Sequence, residues 1–243
     1  MARRFLLCVI FLVPGMFAQD LGFGEPSNKA EKDELRRAAR ATLDKDYSLA
    51  IQIFRTYAEK GAAWAQFRLG VRYFKGEGVE ENKELALVWF CRAADQGVAA
   101  ALHNIGLMYS NGDGLPQDDS EALKWFRRAA SLGFSASENY LGWDYANGRG
   151  VETDYAEARS WFGKAAEHGH SEAQVSLGMM YCNGQGVAQD LVKCLMWLTI
   201  AEANESESAK KLLPRARNWA TAEQIEKAKK AVVDWQAAPP NPK

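Results

Sequence analysis

Positive charge is not in excess in this sequence. Its 243 residues carry 30 lysines and arginines against 31 acids, a net charge of -1. The basic surplus that a nucleic-acid partner calls for is therefore missing. Histidine is scarce too, with three in all. His168 and His170 flank Gly169, His103 lies far from both, and a protein zinc site takes three or four ligands. No metal or cofactor is expected. No Gly-Lys-Ser or Gly-Lys-Thr accompanies any glycine pair, which removes the phosphate-loop reading. No serine has a histidine and an acid around it at recognisable spacing, so an enzyme is not expected either. The apolar run from Phe5 to Val13 falls well short of the about 20 residues that a membrane-crossing helix needs.

That short run has a different meaning. Arg3 and Arg4 precede it, and Pro14-Gly15 and the small residue Ala18 follow it. This is the order of a secretory signal peptide, residues 1–18, cleaved after Ala18. Cleavage leaves no transmembrane segment, and the expected location is periplasmic or secreted. Without Arg3 and Arg4, 28 basic residues remain against 31 acids, so gross charge does not select the partner.

The rest of the chain is organised by repetition. Trp89-Phe90, Trp125-Phe126, Trp161-Phe162 and Trp197-Leu198 recur 36 residues apart, the first three pairs each followed two residues later by a basic residue and two alanines. A fixed period of this length marks stacked helical units. Each unit opens with a helix carrying Leu-Gly and then Tyr, as in Leu69, Gly70 and Tyr73. A Gly-x-Gly turn comes next, at Gly76/Gly78 and at each period after it. Asn82, Asp118, Asp154 and Asp190 then have the side chains that cap a second helix. Ala65, Leu69 and Tyr73 share one helix face. Gly70 lies beside that face and costs about 1 kcal/mol of helix propensity against alanine, so its return in every unit marks close packing. Leu69, Gly70, Tyr73, Trp89, Phe90, Trp125, Phe126, Trp161, Phe162 and Trp197 are the expected core.

The expected fold is all-α: a right-handed α/α solenoid of about twelve helices in stacked antiparallel pairs. Its parts are a linker over 19–28, an N-terminal capping pair over 29–60, four repeats over 61–204, degenerate C-terminal capping helices over 205–236 and a disordered tail over 237–243. Terminal units of a solenoid need such caps because one of their sides has no neighbour. Thr221 and Gln224 form a capping box at the last helix.

Taken together, Leu-Gly-x-x-Tyr, Gly-x-Gly-Val, the acidic or amide cap and Trp-Phe-x-x-Ala-Ala resemble the Sel1-like repeat family, related to the tetratricopeptide repeats. The last copy departs from the pattern, with Glu202 for an alanine and Glu205 for the closing glycine. The resemblance implies a scaffold in envelope assembly, signalling or quality control. Two alternatives stand beside it: a glycan-binding scaffold in polysaccharide export, and an envelope hydrolase or β-lactam-binding protein. The paired cysteines of the β-lactam-linked relatives are absent from most units.

Cleavage would leave Cys91, Cys182 and Cys194, an odd number in an oxidising compartment. Cys182 and Cys194 are either joined as a disulfide across a helix pair, which needs α-carbons within about 7 Å, or are two buried free thiols.

Binding would use positions that the repeat leaves free. On the first helices these are Trp64, Arg68, Val71 and Lys75, then Asn104, Leu107 and Asn111, then Tyr140, Trp143 and Asn147, then Ser176, Met179 and Asn183. The rung Val71, Leu107, Trp143, Met179 is apolar throughout. Either it forms an exposed groove for a protein or peptide partner, or neighbouring units cover it. The oligomeric state is not legible.

Overall fold

The computed structural model describes Pro26 and residues 28–237. The signal peptide with its cleavage after Ala18, most of the linker and residues 238–243 lie outside the described residues. Among the described residues there are twelve α-helices and no strand.

Two helices, α1 (Lys29–Leu43) and α2 (Tyr47–Glu59), precede the repeats. Four helix pairs follow: α3 (Ala63–Lys75) with α4 (Lys83–Ala94), α5 (Ala99–Asn111) with α6 (Asp119–Ala130), α7 (Ser135–Asn147) with α8 (Tyr155–Glu167), and α9 (Ser171–Asn183) with α10 (Leu191–Ala203). The chain closes with α11 (Glu207–Arg217) and α12 (Ala222–Ala237). Each helix packs on its chain neighbour up to α10, which α11 and α12 both cover. Four clusters of buried side chains follow one another along the stack.

Local chemistry sets the helix ends. The side chains of Asn82, Asp118, Asp154 and Asp190 each accept a hydrogen bond from a first-turn amide of the helix that they open, satisfying donors that a helix start leaves unpaired. First helices stop at Gly76, Gly112, Gly148 and Gly184, all in the left-handed region. Thr221 and Gln224 exchange backbone-to-side-chain bonds of 2.9 and 3.2 Å, which starts α12.

The helix-interior glycine has a specific partner. A Cβ on Gly70, Gly106 or Gly142 would stand 2.6–2.8 Å from the ring of Phe90, Phe126 or Phe162 on the second helix of the same unit. Each phenylalanine ring thus lies flush on bare backbone, and this sets the separation of the two helices. In the fourth unit Leu198 replaces the phenylalanine, and the corresponding distance at Gly178 relaxes to 3.2 Å.

Within a unit, the start of the first helix and the end of the second are joined by polar pairs 30 residues apart. Gln96 donates to Gln66 at 2.7 Å, His168 Nδ1 lies 2.8 Å from Glu138, and Asn204 donates to Gln174 at 3.0 Å. In the remaining unit both positions are leucine, Leu102 and Leu132. Replacing both members of a polar pair with apolar groups leaves nothing unsatisfied. Neighbouring units are joined by charged pairs, also 30 residues apart, that reverse sign along the stack: Lys83 with Asp113 at 2.5 Å, then Asp119 with Arg149 at 2.7 Å.

Candidate functional site

The positions expected on the inner face do not share one environment. Trp64 is 2% exposed and packs against Tyr57 and Phe54, with ring centroids 5.4 and 6.4 Å away. This corrects the expectation that it faces a partner. As the second residue of α3, it meets the preceding helix α2, whose aromatics hold it in the core. Val71 is also buried, inside the cluster that contains Phe67 and Ile105. The apolar rung is therefore covered at its N-terminal end. Leu107 and Met179 are half-buried, and Trp143 is 38% exposed.

The polar edge of the strip is solvated. Asn111, Asn147 and Asn183 are exposed. Their amide nitrogens donate to Asp113, to the Trp143 carbonyl and to Gln185 respectively. Ser176 is half-buried and donates to the Glu172 carbonyl at 2.9 Å. Lys75 is half-buried, 3.8 Å from Glu77.

Arg68 and Asn104 line a small cleft between α3 and α5, with Phe67, Val71, Ala100 and His103, and Phe134 closes it at the entry to α7. Its free volume is about 20 Å³, room for one water-sized group. His103 forms one wall. Its ring sits among Phe126, Phe134 and Tyr140 at 5.2–5.4 Å, and its Nδ1 lies 2.8 Å from the Ser137 hydroxyl. Burial, assisted by His170, pulls its pKa down to about 3, so the ring is neutral. Burial and then the Arg72 cation pull Arg68 down to about 10, which still leaves it protonated at neutral pH. From the cleft the aromatic surface continues through Tyr140, on the same helix as Trp143, and the Arg149 guanidinium stands 5.6 Å from the Trp143 ring centroid.

Among the residues expected in the core, Leu69, Gly70, Phe90, Phe126 and Phe162 are buried, as are Trp89 and Trp197. Tyr73, Trp125 and Trp161 are half-buried. These last two tryptophans sit at the margin of the core, where solvent-side cations cover their rings. Arg92 lies over Trp89 at 4.5 Å, Arg128 over Trp125 at 4.4 Å and Lys164 over Trp161 at 4.0 Å. Such pairs contribute roughly 0.5–1 kcal/mol when exposed. The basic residue three places after each tryptophan was the available signal. In the fourth unit Ile200 takes that place, and Trp197 stacks edge-on with Trp235 of α12 at 5.5 Å instead.

Two buried acids had no sequence signal. Glu138 is 2% exposed, and burial raises its pKa while His168 opposes the rise. Asp144 is 4% exposed and pushed up to about 7 by burial, with Arg149 opposing and Asp119 reinforcing. The other two histidines have structural roles: His168 bonds Glu138, and His170 accepts from the Ala173 amide at 3.2 Å to cap α9. Cys182 and Cys194 form a disulfide with α-carbons 5.1 Å apart, and Cys91 is a half-buried free thiol. Among the described residues no helix is long and apolar enough to cross a membrane.

Comparison with known families finds the Sel1 repeat four times, at residues 65–98, 99–134, 135–170 and 171–205. A search of curated proteins finds no match. Among solved structures, the chain is similar to c5321, a protective antigen of uropathogenic Escherichia coli strains with an SLR fold. Identity is 34% and the TM-score 0.71, over 77% of this chain and 40% of that one. The chain thus spans well under half the length of that relative. It is also similar to a Sel1 repeat protein from Oxalobacter formigenes, at 29% identity and TM-score 0.67, over 80% and 84% of the two chains. The immunity protein Pa5087 from Pseudomonas aeruginosa, 21% identical, shares the fold with a TM-score of 0.57, over 91% and 88% of the two chains.

Proposed function

This chain belongs to the Sel1 repeat family, whose members generally serve as non-catalytic scaffolds for protein–protein binding, and on that premise we propose that it is an exported adaptor holding a protein or peptide partner in the cell envelope. The observation that carries this reading is the strip on the first helices of the second to fourth units. There Leu107, Trp143 and Met179 are only partly covered, and Trp143 is 38% exposed. The exposed asparagines edge it. A large aromatic flanked by amides is the composition of a protein-recognition surface. The case for export rests on Arg3, Arg4, the Phe5–Val13 run and Ala18. Assembly, signalling and quality control are the settings in which such an adaptor would work.

The test is affinity capture from envelope extracts, comparing the wild type with a Trp143→Ala, Tyr140→Ala double variant. Loss of a captured protein from the variant supports the adaptor. Undiminished capture contradicts it, and loss of a bound glycan instead favours a polysaccharide scaffold. Fractionation with N-terminal sequencing tests the location, with Gln19 as the expected first residue of the exported form. A cytoplasmic chain beginning at Met1 would refute export.

A further inference from the structure

We propose that the tip formed by the end of α11 and the turn into α12 rests on an anionic membrane surface, with Trp219 entering the interface and Lys211, Arg215 and Arg217 meeting lipid phosphates. The inference goes beyond the adaptor reading, because the strip on α5, α7 and α9 takes no part in it. Trp219 is the starting observation. Seven of the eight tryptophans lie against a ring or a cation, as Trp64 does against Tyr57 and Trp161 against Lys164. Trp219 has neither among the described residues, and it is 53% exposed.

The turn that carries this ring is tightly bonded. The Trp219 amide donates to the Ala216 carbonyl at 3.1 Å and the Ala220 amide to the Arg217 carbonyl at 3.2 Å. The capping box of Thr221 and Gln224 follows directly. An exposed indole on an ordered turn costs little further ordering when it binds. Ala209, Leu213 and Ala216 face α11 into the core, which leaves Lys211 and Arg215 on its outer side. Their spacing of four from each other, and of Arg215 from Trp219, sets the three in one row. A tryptophan beside cations is the composition that settles at a membrane–water interface, where the ring is in apolar surroundings and its N–H stays wet.

Charge makes lipid phosphate the complement. Residues 28–206 hold 20 basic and 25 acidic side chains, a balance of -5, whereas residues 207–237 hold seven and four, a balance of +3. Three of those four acids are already neutralised on their own helices. Glu207, Glu223 and Glu226 pair with Lys210, Lys227 and Lys229 at 2.6–2.7 Å. Lys211, Arg215 and Arg217 are exposed and pair with no carboxylate among the described residues. Arg215 and Arg217 also suit the negative end of α11, but that accounts for neither Lys211 nor the uncovered indole. Near an anionic surface each cation strengthens binding by about fivefold, and burial of the indole adds about tenfold. Together they give about a thousandfold, a reversible contact at roughly millimolar lipid that falls short of an anchor.

The test is co-sedimentation with vesicles of phosphatidylcholine alone, or with about one phosphatidylglycerol in every three lipids. The chain used begins at Gln19, so that the apolar run from Phe5 to Val13 cannot itself insert, and all twelve helices lie beyond that point. The wild-type chain is expected to bind the anionic vesicles only, and to be released in about 1 M salt, where screening acts within about 3 Å. Trp219→Ala is expected to weaken binding about tenfold, and Lys211→Gln with Arg215→Gln about 25-fold. Arg36→Gln with Arg40→Gln removes the same charge from α1, at the other end of the stack, and is expected to leave binding unchanged. All five side chains are exposed, so the helices are retained, which circular dichroism verifies. Binding to both kinds of vesicle alike, or to neither, overturns the proposal. So does a Trp219 or Lys211 and Arg215 variant that binds like the wild type, or an α1 variant that loses as much as they do. None of these outcomes involves the strip, so the adaptor reading is decided by envelope capture alone.

Discussion

Alanine substitutions at three helix-interior glycines should differ in effect if ring-on-backbone packing sets the helix separation. Gly163 lies in α8, and a Cβ added there would have no neighbour within 4 Å. Gly163→Ala is therefore expected to stabilise by about 1 kcal/mol, the propensity difference alone. At Gly106 the added Cβ would stand 2.6 and 2.7 Å from two atoms of the Phe126 ring, well inside the 3.4 Å where ordinary contact begins. That ring is 1% exposed and bounded by His103 and Tyr140, with centroids 5.4 and 5.1 Å away, so it has nowhere to go. Overpacking of this kind costs about 1–3 kcal/mol. Set against about 1 kcal/mol of propensity, it leaves Gly106→Ala between neutral and destabilised by about 2 kcal/mol. Gly178 faces Leu198 at 3.2 Å, a flexible neighbour, and Gly178→Ala is expected to fall between the two. Urea titration followed by far-ultraviolet circular dichroism ranks all three, and about 1 kcal/mol corresponds to roughly 2–4 °C in Tm for a chain of this size. A Phe126→Leu background should shrink the Gly106→Ala penalty, because it recreates the fourth unit's pairing. If Gly106→Ala stabilises as much as Gly163→Ala, the packing argument is wrong.

Other expectations follow from particular sites. Glu205 adopts a φ of 62° at the position where earlier units close with glycine, and a left-handed non-glycine residue costs about 1–2 kcal/mol, so Glu205→Gly should raise Tm by a few degrees. Asp144 is pushed up to about 7 in the folded protein, from an ordinary value of 3.8. A raised acid favours the folded state fully below its unfolded pKa, and that contribution is lost as pH rises through about 7. At 1.36 kcal/mol per unit the effect is at most about 4 kcal/mol. Asp144→Met, which copies Met108 and Met180 at the equivalent positions, should remove this fall between pH 4 and 7 and gain most at pH 8. A wild type and variant whose stabilities run parallel over that range would contradict the assignment. Under denaturing, non-reducing conditions Cys91 should alkylate while Cys182 and Cys194 do not, and reduction should lower stability by about 3 kcal/mol.

Much of this architecture was legible because it depends on spacing. The 36-residue return of Trp-Phe places the second helices, the Asn or Asp caps start them, and the glycines stop the first helices. Exposure was harder to read, because it depends on what the neighbouring unit supplies. Trp64 and Trp143 are both large aromatics on first helices, yet Tyr57 and Phe54 cover the first and leave it 2% exposed, while the second is 38% exposed. The polar pairs within the units were invisible for another reason. Their positions hold Gln, Leu, Glu and Gln in successive units, so no residue type runs through all four. Arg68 was placed on the inner strip from its register, but the cleft around it draws Phe134 from the next unit but one, which no local pattern reveals.

The most direct test of the central claim is site-specific photocrosslinking in envelope fractions. A photoreactive phenylalanine would be placed at position 143 on the strip, or at position 88, where Val88 is 45% exposed on a second helix. The stacked-repeat account predicts a discrete crosslinked protein from position 143 and none from position 88. Crosslinking from position 88 with none from position 143 would contradict it.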